Sequence, residues 1–471
     1  MARALRRGLL ASVLLTSACS SSSEPPPTPT PTTTATPARC PSEPIPESRA
    51  PDVTPAMEQA EFWLAKLEPG QADAALIGPT ERERIASRVA ATPGSWRDPI
   101  DPALAEPAHV EAELGERLEW LRGRVGAGKY VEGQAGALEL AAATIASAGP
   151  VEETEALHGI VGETPLWCVP MTTGLYTAPT GPSSIDLEFD RNQCASLHLG
   201  DLVRVIRRGQ GWAYVDAGHS VGWIEDPASA SPIGPAIARA SVLDDRTRPS
   251  AWLLDDWTPP EQPELSLRAG TRLPIEGDAI EVPTREGKVA VHVGPDAPIQ
   301  TTPLPLTRRH LLERAFAMLG DPYGWGGRAG YRDCSSMVFD LFAQFDLLLG
   351  RNSAVQSQLG VETIELAGQS DQAKRAAIRA AAERGVVLLY MPGHIMIYLG
   401  HERVGGVDHD FGISAISDYL VPCPGGSDTV HRLDRVSVTT LELGRGSERR
   451  AYLERIERIA LFGPTSGPTT E

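Results

Sequence analysis

Positive charge is scarce in this chain. Its 43 Lys and Arg stand against 61 Asp and Glu, a formal charge of −18 over 471 residues. That balance argues against nucleic acid and against docking on anionic lipid through charge. A spanning segment is missing too, because the apolar run Leu9 to Leu15 is too short to cross a bilayer. Two cofactor signatures fail. Residues 324–330 (Gly324-Trp325-Gly326-Gly327-Arg328-Ala329-Gly330) are glycine-rich but follow a helical pattern, whereas a dinucleotide fingerprint follows a strand. His401-Glu402-Arg403-Val404-Gly405 lacks the second His of a zinc-protease helix. His394, His401 and His409 with Asp408 and Asp410 are metal-ligating types, but a metal there would leave the setting of Cys334 unexplained. No metal and no cofactor are expected.

That setting is the informative part of the chain. Gly324, Gly326, Gly327 and Gly330 make a turn-rich approach to Arg332-Asp333-Cys334-Ser335-Ser336. Met337, Val338, Leu341, Phe342 and Phe345 then recur at helical spacing. Asp333 is a good N-cap type, so Cys334 falls at a helix N-terminus, where dipole and free N–H groups favour a thiolate. A buried packing cysteine would not need this polar, glycine-rich flank. His394 opens a strand in which His394, Met396 and Tyr398 face one way. An imidazole there can take a thiol proton and return it to a leaving amine.

With 471 residues, about three domains are expected. Residues 1–19 read as an export signal, with Arg3, Arg6 and Arg7, the apolar core, and Thr16-Ser17-Ala18 before Cys19. Residues 20–50 are a Ser/Pro/Thr-rich tether that cannot bury enough to fold. Residues 51–165 are helical, from the patterns Met57, Ala60, Phe62, Trp63, Leu67 and Leu114, Leu118, Leu121, Val125. Short strands follow over 166–232 and, as a weaker copy, over 233–304. Residues 305–465 hold helices from Thr307, after Asp333 and over about 371–384, then strands at 386–390 and 394–399.

Tyr323-Gly324-Trp325-Gly326-Gly327, Arg332 to Ser336, Arg351-Asn352-Ser353, Gln356 and Gly393 to Met396 together resemble the NlpC/p60 family of bacterial cell-wall cysteine peptidases. Phe189-Asp190-Arg191, Gln193, Gly200 and Gly222-Trp223 resemble the first of two SH3-like barrels found in multi-domain relatives. The resemblance implies an α+β chain: a papain-like domain over 305–465, barrels over 166–232 and 233–304, and a helical stabilising domain over 51–165. It implies Cys334 as nucleophile, His394 as base and His409 as the group orienting His394. His401 and Asp408 are rivals for that third role. Tyr323, Asp333, Ser335 and Ser353 match substrate-binding positions. The first barrel would help hold a free amino terminus, yet the aromatic residue expected before Gly222-Trp223 is replaced by His219 and Ser220. Trp212, Tyr214 and Trp223 could line a groove or fill a barrel core.

The expected activity is hydrolysis of the γ-D-glutamyl–diamino acid bond of wall stem peptides, releasing L-Ala-γ-D-Glu. A wall-binding lipoprotein with little catalysis, or an amidase or acyltransferase on another wall bond, are the alternatives. The chain is expected in the bacterial cell envelope, lipid-anchored through Cys19 or else secreted. Export permits disulfides. Cys40, Cys168, Cys194 and Cys423 allow three complete pairings, with Cys168–Cys194 favoured as lying within one barrel.

Overall fold

A computed structural model describes residues 40–41, 43–127, 134–152, 156–176, 189–226, 237–239, 248–285 and 287–464. The export signal, Cys19 and most of the tether lie outside the described residues. These fall in a single compact unit, Cys40–Glu471.

The sheet that takes in the most residues has seven strands, in the order Ile45–Pro46, Thr429–Thr440, Val407–Val421, His394–Val404, Val386–Met391, Arg458–Phe462 and Glu362–Glu365. All neighbours are antiparallel except the first pair. The Cys334–Ala343 helix lays Met337, Val338, Leu341 and Phe342 into a core shared with Ile395, Ile397 and Ala415. Strict alternation predicts a polar face for His394–Val404, yet Met396 is as buried as its neighbours. The far side is covered as well. Trp63 of the Ala60–Leu64 helix lies against Phe411, ring centroids 5.5 Å apart, and beside Gly400.

That contact corrects the expected helical domain. Val53, Met57, Ala60, Trp63, Leu76 and Ile85 belong to the core of the large sheet. Leu114, Leu121 and Leu138, from helices Pro107–Gly126 and Gln134–Ser147, pack instead with Tyr214 and Trp223. Residues 51–165 therefore divide between two cores rather than building their own. The tether is also shorter than expected. Cys40 is bonded to Cys423, and Ile45–Pro46 adds a strand beside Thr429–Thr440.

Two smaller sheets stand beside the large one. The first runs Gln193–Leu197, Thr164–Trp167, Val221–Glu225, Trp212–Asp216, Leu202–Gly209, Leu157–Ile160 and Ile237–Arg239, with Gly149–Pro150 also paired to Leu202–Gly209. It thus starts before residue 166. Tyr214 and Trp223 are fully buried, which assigns both to core rather than groove. Cys168–Cys194 closes this unit. The second sheet runs Gly287–His292, Ala279–Thr284, Arg272–Glu276, Ser250–Leu253 and Ile299–Gln300 around Leu253, Leu267, Leu273 and Ile280.

Both small sheets grip the turn that leads to Cys334. Ser196 Oγ donates to Gly327 O (2.7 Å) and Gln193 Nε2 to Gly326 O (3.2 Å). Gly326 and Gly327 have φ of 62° and 82°, and a Cβ there would meet Gln193 O at 2.5 Å or Ser196 Oγ at 2.6 Å. Glycine is required at both for conformation and for space. From the second sheet, Asp256 takes a forked pair of bonds from Arg332 (2.6 and 2.9 Å), and Arg268 Nε bonds Asp340 at 2.7 Å. Arg332 Nε bonds the same Asp340 at 2.9 Å, so the residue two before the nucleophile is clamped from both sides.

Candidate active site

Cys334 is the first residue of its helix, and Asp333 caps it. Asp333 Oδ1 accepts from Ser335 N (3.1 Å), Ser336 N (2.9 Å) and Ser335 Oγ (3.1 Å). Oδ2 accepts from Gly326 N at 3.0 Å. Arg351 then forks onto both oxygens at 2.7 Å and also donates to Ser335 Oγ at 2.7 Å. Burial alone would raise the Asp333 carboxyl; the Arg351 charge and these donors outweigh it and hold the group below its ordinary range. Gln356 Nε2 bonds Ser335 O and Gly350 O, both at 2.8 Å, tying the helix start to the following turn.

The thiol is buried, and burial pushes it well above its ordinary range. The Asp333 charge works in the same direction. Backbone N–H groups of Ile395 and Ser335 donate to the sulfur and offset only part. Burial thus opposes the thiolate that the helix N-terminus favours. His394 is adjacent, one residue before Ile395. Burial, then the nearby Arg455 charge, push its imidazole well below the ordinary range. Burial thus favours the neutral form of each group.

The imidazole is fixed on two sides. Its Nε2 lies 3.0 Å from Ser414 Oγ, and Tyr452 stacks on the ring with centroids 5.3 Å apart and planes at 22°. With Nε2 bonded to the hydroxyl, Nδ1 is the nitrogen left to exchange a proton with the thiol. Tyr323 stands nearby, its phenol pushed up by burial and by the charges of Asp333 and Cys334. Phe189 and Arg191, from the first small sheet, approach this aromatic corner. Phe189 lies 6.2 Å from Tyr323 and 5.3 Å from Trp325, and the Arg191 guanidinium sits 4.0 Å from the Trp325 ring centre.

The sequence model of the NlpC/P60 family matches residues 320–420, which hold both Cys334 and His394. The chain carries an NlpC/P60 domain. That family is one of cysteine peptidases. A solved NlpC/P60 endopeptidase from Photobacterium damselae subsp. piscicida is similar in structure over 89% of this chain and 99% of its own, with a TM-score of 0.67 at 13% identity. At that identity the likeness concerns fold alone. An NlpC/P60 family protein from Bacillus cereus ATCC 10987 aligns over 66% of this chain and 100% of its own, at 17% identity and a TM-score of 0.41. No curated protein matches the chain.

Within the NlpC/P60 domain His409 does not reach His394. It sits opposite Glu402 and its Nδ1 is 3.2 Å from Glu442. Five residues along a strand separate it from Ser414, about 17 Å. The reason is the position of the hairpin turn. The chain turns only at Gly405-Gly406, with φ of 58° and 86°, so the strand from His394 runs on past His401. Ile397 therefore pairs with Ile413, which brings Ser414 to the face of His394. The Gly-Gly pair was the signal that could have found it. The two rivals are occupied or distant as well: Asp408 bonds Arg379 at 2.8 Å, and His401 pairs with Asp410 across the sheet.

Asp333 and Ser335 are used internally, so neither is left to grip a substrate. Ser353 opens a short helix, Ser353–Gln356, which Asn352 caps through Ala354 N (2.9 Å). Among the matched binding positions, Tyr323 keeps a phenol that feels the charges of Asp333 and Cys334. Ser414→Ala should lower kcat about 10-fold or more with little change in KM, because the ring loses its orientation but the cleft is unchanged. Ser414→Asn, which can accept the same bond, should retain most of the rate; steady-state kinetics on both variants checks this.

Proposed function

We propose that the chain is an exported cysteine peptidase that hydrolyses the γ-D-glutamyl–diamino acid bond of wall stem peptides. The observation that carries the reading is the buried Cys334 at a capped helix start, bonded by the N–H of Ile395, with the imidazole of the preceding residue, His394, fixed by Ser414 and Tyr452. His394 Nδ1 takes the thiol proton as sulfur attacks the carbonyl. The oxyanion meets the Cys334 backbone N–H and the Tyr323 hydroxyl. His394 then protonates the leaving amine, and water repeats the sequence to free the acyl group.

Export is supported by two disulfides, Cys40–Cys423 and Cys168–Cys194, which persist only in an oxidising compartment. A lipid on Cys19 would anchor the chain in the cell envelope. The two small sheets serve as SH3-like barrels. The first, pressed on the glycine turn and bringing Phe189 and Arg191 to Tyr323, restricts the cleft to short peptides with a free amino terminus. Turnover of an N-acetylated tripeptide as fast as the free one would sink that restriction.

The deciding experiment incubates the chain lacking residues 1–19 with L-Ala-γ-D-Glu-meso-diaminopimelate. Release of the dipeptide by the unmodified chain and none by Cys334→Ala is the expected outcome, read by mass. A wall-binding protein of weak catalysis is favoured by one observation: a neutral Ser414 stands where the resemblance implies His, Asn or Gln. Binding to wall sacculi without release of the dipeptide would select that reading.

A further inference from the structure

Three cations near the end of the domain are matched with carboxylates. Arg449 pairs with Asp418 at 2.5 Å, Arg445 with Asp371 at 2.9 Å and Arg458 with Glu365 at 2.5 Å. Arg455 is different. It is half-buried, and its hydrogen bond is Nη2 donating to Pro392 O at 3.3 Å. No carboxylate among the described residues stands within ion-pair distance of it. A cation that is partly removed from water without a counter-ion is costly unless something else supplies the negative charge.

Its place gives the missing charge a function. Arg455 follows Tyr452 by three residues in the Tyr452–Arg455 helix, so the two share a face. Tyr452 is the ring stacked on His394, and Pro392 lies two residues before His394. Arg455 therefore flanks the imidazole. Its charge is felt by His394 and by Tyr452. In the reaction proposed above His394 donates to the leaving amine, so the leaving amino acid must lie on the imidazole side of the sulfur. Whatever substituents that residue carries come next to Arg455.

We propose that Arg455 is a specificity residue that pairs with a carboxylate on the leaving amino acid. This rests on the peptidase reading and deepens it: the leaving residue would be a diamino acid bearing a free carboxylate beside its scissile nitrogen or at the end of its side chain. A forked guanidinium suits a planar carboxylate and gains nothing from an amide or an ammonium.

The test uses three tripeptides: L-Ala-γ-D-Glu-meso-diaminopimelate, the same peptide with its main-chain carboxyl amidated, and the L-Lys analogue, which lacks the side-chain carboxylate. The unmodified chain should cleave the first with kcat/KM at least ~10-fold above whichever analogue has lost the recognised group, a charge-assisted pair being worth roughly 10- to 100-fold. A loss on amidation places the carboxylate on the main chain; a loss with Lys places it on the side chain. Arg455→Gln should lose ~10-fold or more on the first peptide, mostly in KM, and treat all three alike. Arg455→Lys, which keeps the charge, should keep part of the preference. Alkylation of Cys334 by neutral iodoacetamide at the original rate verifies an intact site in each variant. The proposal falls if the unmodified chain cleaves all three equally, or if Arg455→Gln keeps the original preference. It also falls if both variants lose preference and alkylate slowly, which would mean a folding role. Failure of the unmodified chain to cut any peptide would instead overturn the peptidase reading, and this inference with it.

Discussion

His394→Ala should lower kcat by about 10⁴-fold or more, and the double variant Cys334→Ala/His394→Ala should be no slower than either single one, because nucleophile and base act as a unit. Burial of both groups makes the dependence on the base steep. With the thiol held far above its ordinary range by burial, almost no thiolate exists near neutral pH without proton transfer to His394. Residual thiolate therefore offers little rescue. The pH profile follows from the same burial. His394 is held below its ordinary imidazole value, so the acid limb of kcat/KM should lie below pH 6.5. The same shift affects stability. A histidine depressed on folding contributes stability that is present above the unfolded imidazole value and lost as pH falls through the folded one. Rate profiles and urea midpoints from neutral to acid pH measure both. An acid limb at or above the ordinary imidazole value would contradict the desolvated site.

Arg351→Ala should destabilise the domain by about 3 to 5 kcal/mol, the cost of leaving a buried carboxylate without its partner. Arg351 and Asp333 are both buried, and the guanidinium occupies both carboxylate oxygens. Removing it leaves Asp333 with backbone donors from Ser335, Ser336 and Gly326 but no positive charge. The remaining effect of burial is then to raise the carboxyl pKa, so the variant should be least stable at neutral pH and recover as acid protonates Asp333. Arg351→Met combined with Asp333→Asn removes both charges and keeps an N-cap acceptor. It should regain more than half of the loss. Urea unfolding of the two singles and the double measures the coupling, and simple additivity would show that the pair is not a unit.

The sequence made much of this site legible, for reasons that are local. Asp333 capping, the helical spacing after Cys334, the glycines before it and the strand that opens at His394 each act within a few residues. The third helix, Asp371–Arg384, ends where Gly385 predicts. What was not legible depends on registration between distant segments. The resemblance placed the partner of His394 at His409, whereas the strand register brings Ser414 there. The same limit applies to residues 51–165, whose two amphipathic patterns are real but complete two separate cores. Amphipathicity says that a face must be covered; it does not say by what. The burial of the thiol was not legible, because a helix N-terminus is visible in sequence while desolvation is not.

The Cys40–Cys423 bond decides where a leash would be fastened. Were the protein anchored by a lipid on Cys19, the covalent path to the catalytic sheet would end at Cys40 and not at the helices that follow. Twenty-one residues of extended chain reach about 70 Å at most. The active site would then patrol a hemisphere of bounded radius around its anchor. Reduction of that one disulfide would let out more line by freeing the segment up to the strand at Ile45–Pro46. The bond would thus set which layer of the envelope the enzyme can touch.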